Sequence, residues 1–150
     1  MMGSNFFRAE WFWGKDTDIW LKKLCIGKTL NFPCGMSQIG DVRADKDKSV
    51  NPDVIADIRA FEFTFKHGQF DTVICDPPFS FWAFNKVYSW LPNFALLAQK
   101  RLIFRCPLVC LRIPQKGWKR KYYITEKNGT VTLGMFHVFT NPNRQLQSDR

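Results

Sequence analysis

No stretch of the chain approaches the roughly 18 consecutive apolar residues that a membrane-crossing helix requires. Its 150 residues include two histidines and five cysteines, with no C-x-x-C pair. A zinc site needs closely set thiolate or imidazole ligands, and a disulfide framework needs an even set. Cys25, Cys34, Cys75, Cys106 and Cys110 supply neither, and Pro107 breaks any helix that would align the last two. They read as buried, reduced thiols of an intracellular protein. Met1–Trp13 carries Arg8 and Glu10 within a short aromatic stretch, so a secretory signal pattern is missing. Internal repeats, low-complexity tracts and Gly/Ser linkers are missing too. The expectation is a soluble, cytoplasmic protein with no metal and no membrane association. Residues 1–150 form a single domain, with an N-terminal aromatic segment over 1–15 and a polar tail over 141–150.

Acidic residues are also scarce. Thirteen Asp and Glu face 22 Lys and Arg, giving a formal charge of +9, which draws polyanions toward the protein. The chain is 45% apolar, enough to close one core without staples. Fifteen Phe and six Trp fill such a core, and they also offer flat faces to flat ligands such as bases.

Periodicity and turn residues divide the chain into short elements. Asp16-Thr17-Asp18 precedes Ile19, Trp20, Leu21 and Leu24, an N-cap and short amphipathic helix that Gly27 stops. Strands are expected at Thr29–Phe32, Val42–Asp45, Val54–Asp57 and Phe70–Cys75. A helix should run from about Trp82 to Trp90, with Pro92 opening another over Phe94–Gln99. Arg101–Cys106 reads as a strand stopped by Pro107. Lys119–Glu126 and Val131–Phe139 flank Asn128-Gly129, a strong hairpin signal. Strands alternating with helices, closed by a hairpin, predict an α/β sandwich with a mostly parallel sheet. Ligands of such sheets bind beyond the carboxyl ends of the strands. Four successive strand ends here carry Pro33-Cys34-Gly35, Asp45, Asp57 and Asp76.

Asp76-Pro77-Pro78-Phe79 is the sharpest of these signals. Two prolines after a buried strand fix the backbone and remove two N–H donors, so carbonyls there can face a pocket. A carboxylate and a carbonyl accepting the two hydrogens of an exocyclic amine pull its nitrogen toward sp³. Phe79 provides a face on which an extruded base can stack.

Phe70 through Phe79 resembles the catalytic motif of class I S-adenosylmethionine-dependent amino-methyltransferases, the Asp-Pro-Pro-aromatic type that modifies adenine N6, guanine N2 or cytosine N4. The resemblance covers roughly Lys28 to Pro107 and implies a Rossmann-like domain closed by an antiparallel hairpin. It implies Asp76, Pro77, Pro78 and Phe79 as the catalytic set. Asn31-Phe32-Pro33-Cys34-Gly35 resembles the family's cofactor loop, where glycine lets backbone approach the methionine moiety. Gly35 stands with Gly40 five residues on, in place of several close-set glycines, and Asp45 follows Gly35 by ten residues. Any helix between them must be very short. This cofactor has no pyrophosphate to cradle, which argues against a nicotinamide dinucleotide. By the same resemblance Asp45, with Asp47 as competitor, accepts from the ribose hydroxyls. Asp57 meets the adenine amine, Ile58 packs on its ring, and Asp76 also borders the cofactor.

For the substrate, the candidates are Phe79, Phe81 and Trp82, with Lys116, Trp118, Lys119 and Arg120 before and within the hairpin. Basic residues around an aromatic suit a nucleic-acid backbone and a stacking platform, or else a lysine-protected edge strand. Trp11-Phe12-Trp13 can join an aromatic wall around the base or belong to the core. No recognition domain fits downstream, so site reading falls to loops, the hairpin, a second subunit in a homodimer, or a partner. The expected activity is adenine N6 methylation, in DNA before RNA. Guanine N2 of RNA, a protein glutamine amide, and a non-catalytic nucleic-acid-binding module are the alternatives.

Overall fold

The computed structural model describes residues 15–77, 86–105, 112–128 and 131–145. Helix α1 (Lys15–Leu24) is followed by β1 (Thr29–Asn31), β2 (Val42–Asp45), β3 (Val54–Ile55) and β4 (Phe70–Cys75). Then come α2 (Lys86–Ala95), β5 (Ala98–Arg105), β6 (Lys119–Asn128), β7 (Val131–Thr140) and a final turn of helix, α3 (Pro142–Gln145). The protein is α/β, with one seven-stranded sheet in the order β3-β2-β1-β4-β5-β7-β6. The first five strands of that order are mutually parallel. Strand β7 runs against both neighbours, so β6 points the same way as β5. This mostly parallel mixed sheet is compatible with a Rossmann-like fold.

Strand alternation sorts the apolar residues onto two faces. Leu30, Phe32, Ala44, Val73, Cys75, Leu102, Phe104 and Phe139 form one face of the sheet. Val87, Leu91, Phe94 and Ala95 of α2 cover it, together with Ile58, Phe61 and Phe65. Phe94 meets Phe61 and Trp90 edge-on, with ring centroids 5.2 and 5.5 Å apart. The opposite face holds Ile74, Ile103, Phe136 and Val138 beneath Leu21 of α1 and Ile39. Each fully buried large apolar side chain contributes roughly 1.5–3 kcal/mol.

One uninterrupted helix takes the place of the two expected around Pro92. Val87, Leu91, Phe94 and Ala95 are all buried, and this stripe carries α2 through the proline. Strand β5 accordingly starts at Ala98, so Gln99 is in a strand and not a helix. The first residues of the expected tail are tied to β5. The Asn141 backbone N–H donates to Lys100 O (2.9 Å) and its side chain to Gln99 O (3.1 Å). Pairing of β4 with β5 is offset by a bulge: Phe70 opposes Ala98, but Thr72 opposes Arg101 and Cys75 opposes Phe104.

Two glycines fix chain direction. Gly40 (φ 109°) enters β2 against Asn31. Gly27 (φ 60°) turns α1 into β1, where an added Cβ would overlap the Asp71 carboxylate. That carboxylate accepts from Lys28 N–H (2.9 Å) and pairs with Lys100 Nζ (3.1 Å). Gly27→Ala must both strain the backbone and displace Asp71. We expect a loss of about 2 kcal/mol, read as a lower urea midpoint with unchanged slope.

Candidate functional site

In the strand order, β1 connects outward to β2 on one side while β4 and β5 lie on the other. The carboxyl ends of β1 and β4 therefore flank the point where the order reverses, the place where open α/β sheets leave a crevice. Phe32 N–H donates to Ile74 O (2.9 Å), which ties the start of the loop after β1 to the end of β4. The two most informative sequence motifs, Pro33-Cys34-Gly35 and Asp76-Pro77, thus meet at the point where the strand order reverses. Asp76 is 6% exposed, and its Oδ2 accepts from Arg105 Nη1 at 3.0 Å. Arg105 ends β5 on the rung beside Asp76 and lies over the Phe136 ring, 6.0 Å from its centroid. The sequence reading missed Arg105. Its signal was a basic residue closing an apolar strand, one position before the expected end.

The loop after β1 has turns but no helix, and buried side chains hold it. Gly35 N–H donates to Asp45 Oδ2 (2.9 Å), and Asp45 Oδ1 accepts from Asp47 N–H (3.0 Å). Ser37, 1% exposed, receives Asn31 Nδ2 (3.2 Å) and donates to Asp18 Oδ1 of α1 (3.1 Å). At the centre is Arg43, 9% exposed. Its Nε donates to Ser37 O (2.8 Å) and its Nη1 to Asn51 O (3.0 Å). Its Nη2 reaches Val50 O (3.3 Å) and Gly35 O (3.5 Å). A single guanidinium therefore clamps the loops after β1 and β2 together. Burial pushes the Cys34 thiol beside this clamp up to about 11, so it stays protonated.

Asp57 stands at the mouth of β3. Its Oδ1 accepts from Arg59 N–H (2.9 Å), capping a 3-10 turn, and its carboxylate pairs closely with the Arg59 side chain. The Arg59 hydrogen bonds hold the Asp57 carboxyl down at about 2.

The acceptor set fits the cationic and N–H or O–H groups of S-adenosylmethionine in kind. That molecule presents an ammonium, two hydroxyls, an adenine amine and a sulfonium, all seeking acceptors or negative charge. The edge presents the carboxylates of Asp45, Asp47, Asp57 and Asp76. Asn31 Oδ1 adds a buried acceptor with no hydrogen-bond partner. Asp47 is exposed, whereas Asp45 is 8% exposed and spends both oxygens on backbone N–H groups. The competitor Asp47 has the more accessible carboxylate, with its Oδ1 accepting from Ser49 N–H (2.9 Å). Phe32, Cys34 and Ile58 are 0%, 2% and 6% exposed, and Phe32 and Ile58 belong to the apolar core behind the loops.

Pro78, Phe79, Phe81 and Trp82 lie outside the described residues, as do Trp11, Phe12 and Trp13. The basic cluster is not brought to the crevice. Lys119 opposes Thr140, which opposes Arg101, while Tyr123 is level with Phe136 and Arg105. Lys119 therefore sits toward the amino edge of the sheet, about 13 Å along the strands from Arg105, with Arg120 one residue nearer and Lys116 and Trp118 preceding the strand. Trp118 also packs against the core. The hairpin's far end, from Ile124–Met135 to Asn128–Val131, instead continues past the carboxyl edge. A cleft of ≈ 520 Å³ lined by Asp18, Lys22, Thr29, Ile39 and Asp41 likewise belongs to the amino edge, beside α1. Among the described residues no His, Cys, Asp and Glu are grouped to hold a metal, and no helix is long and apolar enough to cross a membrane.

Two outcomes follow from this geometry. Arg43→Met leaves four backbone carbonyls without their donor and should cost about 3 kcal/mol. Arg43→Lys should recover only part, because one ammonium cannot span both loops; denaturant unfolding and amide exchange at Gly35–Ile39 measure this. Asp57, lowered from the usual 3.8 to about 2, adds stability that is complete above pH 3.8 and lost as pH falls through 2. Asp57→Asn should flatten that portion of the acid-unfolding profile. No family model and no curated protein matches the chain.

Proposed function

We propose that this chain is an S-adenosylmethionine-dependent methyltransferase that modifies an exocyclic amine of a base in nucleic acid, adenine N6 in DNA before other targets. The observation that carries the reading is the neighbourhood of Asp76. A buried carboxylate and a proline corner end β4 at the sheet's reversal point, beside a backbone loop tied by Gly35 to the acid that ends β2. The strand order, in which β7 alone opposes five parallel strands and β6, agrees with the resemblance carried by Phe70–Phe79.

When bound, the cofactor supplies an electrophilic methyl group. The chain's own part is positioning. Asp76 and the Pro77 carbonyl accept the two amino hydrogens, directing the nitrogen lone pair toward the methyl carbon. With the cofactor bound, Asp76 and the Pro77 carbonyl would hold the amine while the methyl group passed to it from sulfur, and the alkylated nitrogen would give one proton to water. A neutral amine meeting a sulfonium needs no strong base, so orientation and exclusion of water supply most of the acceleration. The hairpin arm that continues past the carboxyl edge suits a nucleic-acid strand approaching the same crevice, and the +9 charge attracts it.

Methyl transfer from labelled cofactor to duplex DNA, single-stranded DNA and total RNA, compared side by side, tests the reading. Digestion of the product to nucleosides identifies the base by mass, with N6-methyladenine expected and N2-methylguanine the competing outcome. Asp76→Ala should lower transfer by at least about a thousandfold, with cofactor affinity in calorimetry changed less than about threefold. Transfer at a comparable rate in that variant would refute the assignment.

A further inference from the structure

We propose that Arg105 is the positioning residue of this site: by pairing with Asp76 Oδ2 it keeps that buried carboxylate ionised and turned in one direction. This makes the corner an acceptor for N–H groups and unable to donate. The inference rests on the methyltransferase reading for its catalytic consequence, but not for the state of Asp76.

The argument starts from burial. The Asp76 side chain is 4% exposed, and a carboxylate that far from water would take up a proton unless a charge or hydrogen bonds compensate it. Arg105, itself 18% exposed on its side chain, supplies the compensation at 3.0 Å. Its own direction is set from behind, because the guanidinium rests over the Phe136 ring, on the rung of β7 that opposes Arg105. Three other ionisable groups among the described residues near the corner have different engagements. Asp45 holds Gly35 and Asp47. Cys34 is kept protonated by burial. His137 is one residue along from Phe136, hence on the opposite face, stacked with Phe139 at 6.0 Å. Among the described residues, Arg105 is the cation whose pairing with Asp76 is seen, at 3.0 Å.

The chemical consequence is selectivity. A protonated carboxyl could donate to a ring nitrogen or a keto oxygen and hold a base by the wrong edge. An ionised one accepts only, so the group it retains is an amine. Losing Arg105 should therefore affect turnover more than binding.

The test uses the full chain with Arg105→Met and Arg105→Lys. Infrared difference spectra against Asp76→Asn isolate the Asp76 band at neutral pH without substrate. A carboxylate stretch is expected for the parent and for Arg105→Lys, and a protonated C=O stretch for Arg105→Met. In transfer assays Arg105→Met should lower kcat about a hundredfold, with KM for the cofactor within threefold, and Arg105→Lys should stay within tenfold of the parent. A carboxylate band in Arg105→Met, or a loss of turnover that lysine does not relieve, overturns the proposal. If the infrared contrast appears but the parent transfers no methyl group to any nucleic acid, the methyltransferase reading fails while the ionising role of Arg105 stands. Should Arg105→Met not fold, the Arg105→Lys spectrum and kcat decide: a protonated band there overturns the proposal.

Discussion

The local architecture of this protein depends on where the Arg43 guanidinium puts its hydrogen bonds. Parallel neighbours in a sheet need a crossover, normally of a dozen or more residues and usually containing a helix. Between β1 and β2 there are only residues 32–41, and no helix forms. The face such a helix would cover must still be closed, and the carbonyls of so short a loop must still find donors. Arg43 does both from inside the sheet. It serves Gly35, Ser37, Val50 and Asn51, while its own backbone N–H goes to Asp53 Oδ2. Burying that charge is tolerable because polar partners surround it. With the clamp in place Gly35 can meet Asp45 and Ser37 can join Asn31 to Asp18, so β1, β2 and α1 share one polar centre.

The sheet's two edges divide the work. The carboxyl edge collects Asp45, Asp57, Asp76 and Arg105, while the amino edge carries Asp71, Lys100 and the basic start of β6. Residues near in sequence therefore serve different ends of the molecule. Asp71 and Asp76 both belong to the β4 segment, but the first fixes the turn into β1 and the second pairs with Arg105 at the carboxyl edge.

Much of this was legible from residue pattern alone. The strands β1, β2, β4, β6 and β7 follow from short apolar runs that end on turn residues, and the parallel core follows from their alternation with helical segments. The meeting of Pro33–Gly35 with Asp76 was legible because chain order plus the crossover rule leaves few arrangements. Arg43 was not, since an arginine inside a four-residue strand reads as an exposed position on a two-sided pattern. Its partners are carbonyls, which leave no trace in sequence. The helix through Pro92 was misread because the proline rule is local, while the buried stripe Val87–Leu91–Phe94–Ala95 is a tertiary constraint. The position of the basic cluster relative to Asp76 was not legible, because a hairpin signal does not say which of its strands will insert beside β5. With β7 inserted, β6 starts at the far end.

The bulge between β4 and β5 has a consequence beyond local irregularity. Carried forward, the pairing of Phe70 with Ala98 would set Cys75 against Ile103, and Asp76 would face Phe104. One surplus residue in β5 shifts the ladder, so a cation and not a phenyl ring arrives at the acid. A protein that paired these strands one step out would still bury an apolar surface, yet it would reverse the side-chain order of β5 and lose the Arg105–Asp76 pair. Correct strand alignment and assembly of the crevice are thus a single event, and the bulge is the ratchet tooth that couples them.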